Sequence, residues 1–276
     1  MTASVHQNNA ASRHPIAPIA LTLLLALATA GCKTTSGAQN DTTGSYAMAT
    51  PPQNEADART MATTWGERYR ANPSDPDAAV RYAQALRAIG QRAQAAAVLE
   101  QAALHNQDNR VVLGAYGRAL ADNGSYQQAL EVLNRAHTQD QPDWRILSVQ
   151  GAVLDQMGRH ADAQRHYASA LRLMPDEPSV LSNLGLSYAL SKKLKEAEAT
   201  MRLAAAQRGA EPKVRQNLAL VVGLQGRFQE AETIAKGDLS PDEAAANVAY
   251  LRQMLAQQSD WKKGKRGSPL VPTTGS

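Results

Sequence analysis

The sequence predicts an all-α solenoid of about five helix-turn-helix repeats, with a leading helix before them and a capping helix after them. Three observations predict it. Small and large residues recur at an interval of 34 positions through the middle of the chain. Aromatic residues make up only 4% of the 276 residues, whereas strands favour Val, Ile, Tyr, Phe and Trp. Hydrophobic residues make up 43%, enough to build a core. The single cysteine excludes a disulfide framework and a Cys-rich zinc site. A formal charge of +4 is too mild to point to nucleic acid.

The N-terminal segment reads as an address. Residues 1–14 are polar and carry Arg13 with no acid. Residues 16–30 are an apolar run, shorter than the ~20 residues a spanning helix needs. That length fits the apolar region of a secretory signal, so residues 1–31 are read as a signal peptide. The run ends at Thr29-Ala30-Gly31-Cys32, which resembles a bacterial lipobox with Thr29 where Leu is commoner. The resemblance implies cleavage before Cys32, a diacylated thiol and an acylated new amine. Each buried CH₂ of the chains adds about 0.8 kcal/mol of membrane binding. A buried core cysteine, or an ordinary signal cleaved after small residues, is the plainer alternative. Lys33 stands where Asp would hold an enteric lipoprotein at the inner membrane, which favours the outer membrane facing the periplasm. Residues 33–54 are rich in Thr, Ser, Gly, Gln and Asn. They read as a tether with a root-mean-square reach of about 25 Å.

Self-similarity sets the next elements. Gly90, Gly124, Gly158 and Gly226 hold one repeat position, and Lys192 stands in the remaining unit. Ala95, Ala129, Ala163, Ala197 and Ala231 hold a second, and Ala102, Ala136, Ala170 and Ala204 a third. Ala83, Gly117, Gly151, Gly185 and Ala219 hold a position seven before the glycine. This is the tetratricopeptide pattern. It divides the chain into units 76–109, 110–143, 144–177, 178–211 and 212–240. A small eighth residue lets the two helices of a unit approach closely. A fifteenth-position Gly adopts the left-handed conformation that ends the first helix. The large twenty-fourth residue (Leu99, Leu133, Tyr167 or Met201) fills the space between units, and Pro175 ends a second helix. A single unit cannot bury its apolar face alone, so stacking supplies the core.

The ends read as caps. Residues 55–72 match only the second helix of a further unit, with Trp65 at its large position. Ser240-Pro241-Asp242-Glu243 starts a capping helix over 241–258, with Pro just inside and acids facing the helix dipole. Residues 261–276, with Lys262, Lys263, Lys265 and Arg266, read as an unstructured basic tail. Such a tail either solubilises the chain or adds about 1 kcal/mol per charge beside an anionic membrane.

No catalytic constellation emerges. The sequence has no G-x-S-x-G, no phosphate loop, no H-E-x-x-H and no dinucleotide fingerprint. His160 and His166 are six apart, on different helical faces. His105 and His137 fall near the ends of second helices, facing solvent. The expectation is a non-enzyme without cofactor, metal or small-molecule substrate.

In this repeat the first helices line a concave face, at positions two, five, nine, twelve and thirteen. The early units place Val80, Gln84, Arg87, Arg118, Asp122, Arg145, Asp155 and Gln156 there. The later units place Leu186, Ala189, Leu190, Leu220 and Leu224. The groove therefore reads as polar at its N-terminal end and apolar at its C-terminal end. The apolar end suits an amphipathic helix or an extended peptide, or else packs on neighbouring helices. Lys and Asn are absent from the fifth and ninth positions, where they would clamp a peptide's terminal carboxylate.

The closing stretch runs from Leu239-Ser240-Pro241-Asp242-Glu243-Ala244 to Tyr250-Leu251-Arg252-Gln253-Met254-Leu255. It resembles the closing segment of the TadD family, the repeat-containing lipoproteins of the tight-adherence (Tad/Flp) pilus system. The resemblance covers residues ~55–260, and the closing stretch is its more specific part. It implies an outer-membrane lipoprotein, a pilotin or scaffold whose partners are the pilus secretin or other Tad components. Another envelope lipoprotein adaptor, serving a different secretion system or peptidoglycan synthesis, is a second reading. A soluble cytoplasmic co-chaperone is a third.

Overall fold

A computed structural model describes residues 54–266, with side chains to Gln257. The signal peptide, Cys32, the tether up to residue 53 and residues 267–276 lie outside the described residues. Helix α1 (Glu55–Ala71) leads five hairpins. These are α2/α3 (Pro76–Ala88, Arg92–His105), α4/α5 (Arg110–Asp122, Tyr126–Arg135) and α6/α7 (Trp144–Gln156, His160–Leu173). Two more follow, α8/α9 (Pro178–Leu190, Leu194–Ala206) and α10/α11 (Pro212–Leu224, Phe228–Ala235). Helix α12 (Pro241–Arg266) closes the array.

Local chemistry starts and stops these helices at the repeat interval. Asp75, Asn109, Asp143 and Glu177 each accept a backbone N–H from the first turn of the first helix of the unit that follows. These bonds satisfy amides that have no partner inside the helix. The turn after each first helix needs positive φ. Gly90, Gly124, Gly158 and Gly226 supply it at 74–83°, and Lys192 adopts 65° in the fourth unit. Lys192 therefore keeps the turn at a steric cost that glycine does not meet.

Within a unit the small eighth residue faces the large twenty-fourth. A Cβ on Gly151 would meet the Tyr167 ring at 2.6 Å, and one on Gly185 would meet Met201 at 2.8 Å. Leu99, Leu133, Tyr167 and Met201 are all essentially inaccessible. The alanines at the twentieth and twenty-seventh positions are buried beside them. The main apolar cluster joins units one and two to Ile146 and Val153 of the third, so units share a core and do not merely touch.

The two ends depart from expectation. Trp65 is not at a buried interior position. It is half-buried, with the guanidinium carbons of Arg68 and Arg81 at 4.5 and 4.8 Å from its ring. Helix α1 packs on the core through Ala58, Ala62, Gly66 and Tyr69 as well as through part of Trp65, with Tyr82 closest to Gly66. Among the described residues α1 packs on α2 alone. Ser240 and Glu243 form a capping box, Glu243 N–H donating to Ser240 Oγ at 3.3 Å and Ser240 N–H to Glu243 Oε2 at 3.0 Å. Helix α12 packs on α10 and α11 through Ala244, Val248 and Leu251. It continues to Arg266, past the expected end at 258, so the first six residues of the predicted tail are helical. No proline interrupts the stretch, and the cations Lys262, Lys263, Lys265 and Arg266 fall in the last turns, where the helix dipole favours positive charge.

Candidate functional site

The charged residues expected to line the N-terminal half of a groove stand on α2, α4 and α6. Arg87 on α2 forms an ion pair with Asp122 on α4, joining the first two units. Arg118 lies on α4 and is half-buried. Asp143 caps α6, accepting the Arg145 backbone N–H at 2.7 Å. The Arg145 guanidinium lies 4.4 Å from the centre of the Trp144 ring. Arg118 feels all four charged neighbours: Arg87, Asp122, Asp143 and Arg145. Burial first, and then the like charge of Arg87, push its guanidinium below the usual range. Asp122 and Asp143 offset this only in part. The structure thus brings Arg87, Arg118, Asp122 and Arg145 into one cluster, with Gln84 half-buried on the preceding unit. Asp143 and Trp144 belong to the same cluster and were not anticipated. Their signal was the capping residue one position before each first helix.

Asp155 does not serve the groove as expected. Its side chain is 7% exposed. It accepts from Ser187 Oγ at 2.8 Å and Tyr167 Oη at 3.2 Å, and its other close partner is His160 Nδ1 at 2.8 Å. Burial raises its pKa, with the three partners opposing. This carboxylate locks units three and four together, because position twelve faces the next unit once that unit offers a hydroxyl. Val80 is likewise buried in the core. Further polar contacts run between first helices, Asn183 Nδ2 to Ser148 Oγ at 3.3 Å and Asn217 Nδ2 to Ser182 Oγ at 3.1 Å.

At the apolar end, Leu186 and Ala189 pack on the core of units four and five. Leu190, Leu220 and Leu224 are half-buried. Nearby, Glu198 accepts hydrogen bonds from Arg202, Gln225 and Arg227, and Glu230 joins both arginines. Burial would raise the Glu198 carboxyl, but these donors hold it at about 2. The histidines have separate tasks. His160 contacts Asp155, and His166 Nδ1 lies 3.0 Å from the Asp162 carbonyl. His137 does not face solvent as expected, since its Nδ1 is buried without a partner. Among the described residues no group of three or more His, Cys, Asp or Glu is placed to hold a metal ion, and no helix is long and apolar enough to cross a membrane.

Residues 57–136 match the family model described as anaphase-promoting complex, cyclosome, subunit 3, and residues 149–212 match one described as tetratricopeptide repeat. No curated protein sequence matches the chain. Its fold is similar to that of PilW, described as a widely conserved type IV pilus biogenesis factor. The TM-score is 0.60 and the identity 15%, over 70% of this chain and 91% of that one. It is also similar to the Cut9-Hcn1 hetero-tetramer of the APC/C, with a TM-score of 0.56 and 13% identity over 76% of this chain. There the chain spans 44% of its counterpart's length. A third similar structure is TTC0263 of Thermus thermophilus, with a TM-score of 0.57 and 21% identity over 66% of this chain and 100% of that one. At such identities the likeness is one of fold.

Proposed function

We propose, from the premise that this chain is a tetratricopeptide-repeat protein, that it is a non-catalytic outer-membrane lipoprotein scaffold of the Tad/Flp pilus. It binds partner proteins along its first helices and helps the pilus secretin to reach or assemble in the outer membrane. The observation that carries this reading is the closing stretch 239–255, together with the lipobox at Cys32. That stretch forms a capping box followed by a helix seated on the last unit, which ends the array. PilW has a role in pilus biogenesis on the same architecture, but the reading rests on the residues and not on that likeness.

The mechanism is positioning. An acylated Cys32 fixes one end to the bilayer, and the tether lets the solenoid stand clear of it. The groove holds a partner chain, with no bond made or broken. The test is a Cys32→Ala strain and a deletion strain of the native host, with membranes fractionated and secretin multimers and surface pili scored. Release of the variant from the outer membrane, loss of multimers and loss of pili are expected. Normal multimers and pili in the deletion strain would overturn the pilus role. In that case a variant that still lost its membrane attachment would leave a different envelope adaptor. Retention in the membrane without Cys32 would overturn the anchor.

A further inference from the structure

The groove cluster leaves one guanidinium without a hydrogen-bonded acceptor. Arg87 is paired with Asp122, and Asp143 is occupied by the amide at the start of α6. The guanidinium of Arg145 lies over Trp144. Arg118 sits among them on the first helix α4, half-buried, and forms no hydrogen bond or ion pair with any described residue. A guanidinium keeps its charge and presents five donors in a rigid plane. Partial burial strips water from those donors without replacing it. All of its charged neighbours stand on, or cap, the first helices α2, α4 and α6, the helices expected to line the groove.

We propose that Arg118, flanked by Arg87 and Arg145, is a carboxylate-binding point in this groove that takes an Asp or Glu side chain from an acidic segment of a partner polypeptide. This inference rests on the scaffold reading and adds the chemistry of the partner. A planar fork meets a carboxylate through two parallel hydrogen bonds. The cluster holds three arginines against two carboxylates, a small local excess rather than the basic stripe a nucleic acid requires. The chain's own outlying segments are poor occupants. Residues 33–53 contain a single acid, Asp41, and residues 261–276 contain none.

The test uses the full chain and a fluorescein-labelled twelve-residue peptide of alternating Glu and Ala with both ends blocked, read by fluorescence anisotropy. A peptide with Gln in place of Glu is the control. The Glu peptide is expected to bind at least about tenfold more tightly than the Gln peptide. Arg118→Gln is expected to weaken it about tenfold or more, the scale of a hydrogen bond between charged groups. Arg118→Lys keeps charge without the fork and falls between. Should Arg118→Gln fold poorly by circular dichroism, the exposed Arg145→Gln provides the same comparison and is also expected to weaken binding. No binding of the Glu peptide at millimolar concentration overturns the proposal. So do equal affinities for the two peptides, or undiminished binding to a folded Arg118→Gln protein. Equally effective displacement by inorganic phosphate would identify a site for small anions and overturn it too. The pilus phenotype involves none of these readouts, so the scaffold reading can fail while this one stands, and the reverse.

Discussion

Replacing Gly151 with Ala tests the packing that sets the repeat. The added methyl would stand 2.6, 2.8 and 2.9 Å from three carbons of the Tyr167 ring, where carbon contacts prefer about 3.5–4.0 Å. The ring must therefore retreat by about 1 Å. Tyr167 is 2% exposed, and its hydroxyl donates to Asp155 at 3.2 Å, so the retreat stretches that bond past useful length. Overpacking costs about 1–3 kcal/mol. Losing a hydrogen bond to a charged acceptor costs about 1.5 kcal/mol more. Alanine returns about 1 kcal/mol of helix propensity. The net expectation is a loss of about 2–3 kcal/mol, a fall in Tm of about 5–10 °C for a chain of this size. Thermal unfolding followed by circular dichroism, with a urea titration beside it, reads the change. The double variant Gly151→Ala/Tyr167→Leu rebuilds the Ala83 and Leu99 pairing of the first unit, and is expected to recover at least half of the loss. A Tm for Gly151→Ala equal to or above the wild type would refute this account of the eighth position.

Other predictions concern single groups. Lys192→Gly relieves a positive φ of 65° and is expected to raise stability by up to about 1 kcal/mol, seen as a higher urea midpoint with unchanged slope. Asp155→Ala leaves the Ser187 and Tyr167 hydroxyls buried without an acceptor and is expected to cost about 2–4 kcal/mol; a loss below about 1 kcal/mol would contradict the lock between units three and four. Glu198 has a folded pKa of about 2, below its ordinary 4.5. Its contribution is therefore present above pH 4.5 and drains as pH falls toward 2. Glu198→Gln should lose part of the acid sensitivity of unfolding in that window, and an unchanged acid profile would remove the network from the account.

Much of the architecture was legible because its determinants are local or repeat in the adjoining unit. Gly124 and Gly158 mark turns that any chain with that backbone needs, and Tyr167 opposite Gly151 is a volume trade within one hairpin. The sequence was weaker at the margins of the repeat. Trp65 occupies the large position, yet it is only half-buried against the core and two arginines stack on its ring. His137 lies in the turn after a shortened second helix, where no periodic rule says which ring atom is buried.

The residues expected to line a groove divide along the same line. Their place on the first helices, and their shift from charged to apolar along the array, follow from the order of residues alone. Which of their charges remain available was decided by the tertiary structure. Asp155 and Arg118 look alike in the sequence, each a charged residue at a concave position. Stacking placed Ser187 of the next unit against Asp155, beside the Tyr167 hydroxyl of its own hairpin, which consumes its lone pairs in the core. It placed Arg87, Asp122, Asp143 and Arg145 around Arg118, with Asp122 paired to Arg87 and Asp143 capping α6. Side chains some thirty residues apart meet only through the angle at which one unit packs on the next, and no local pattern encodes that meeting.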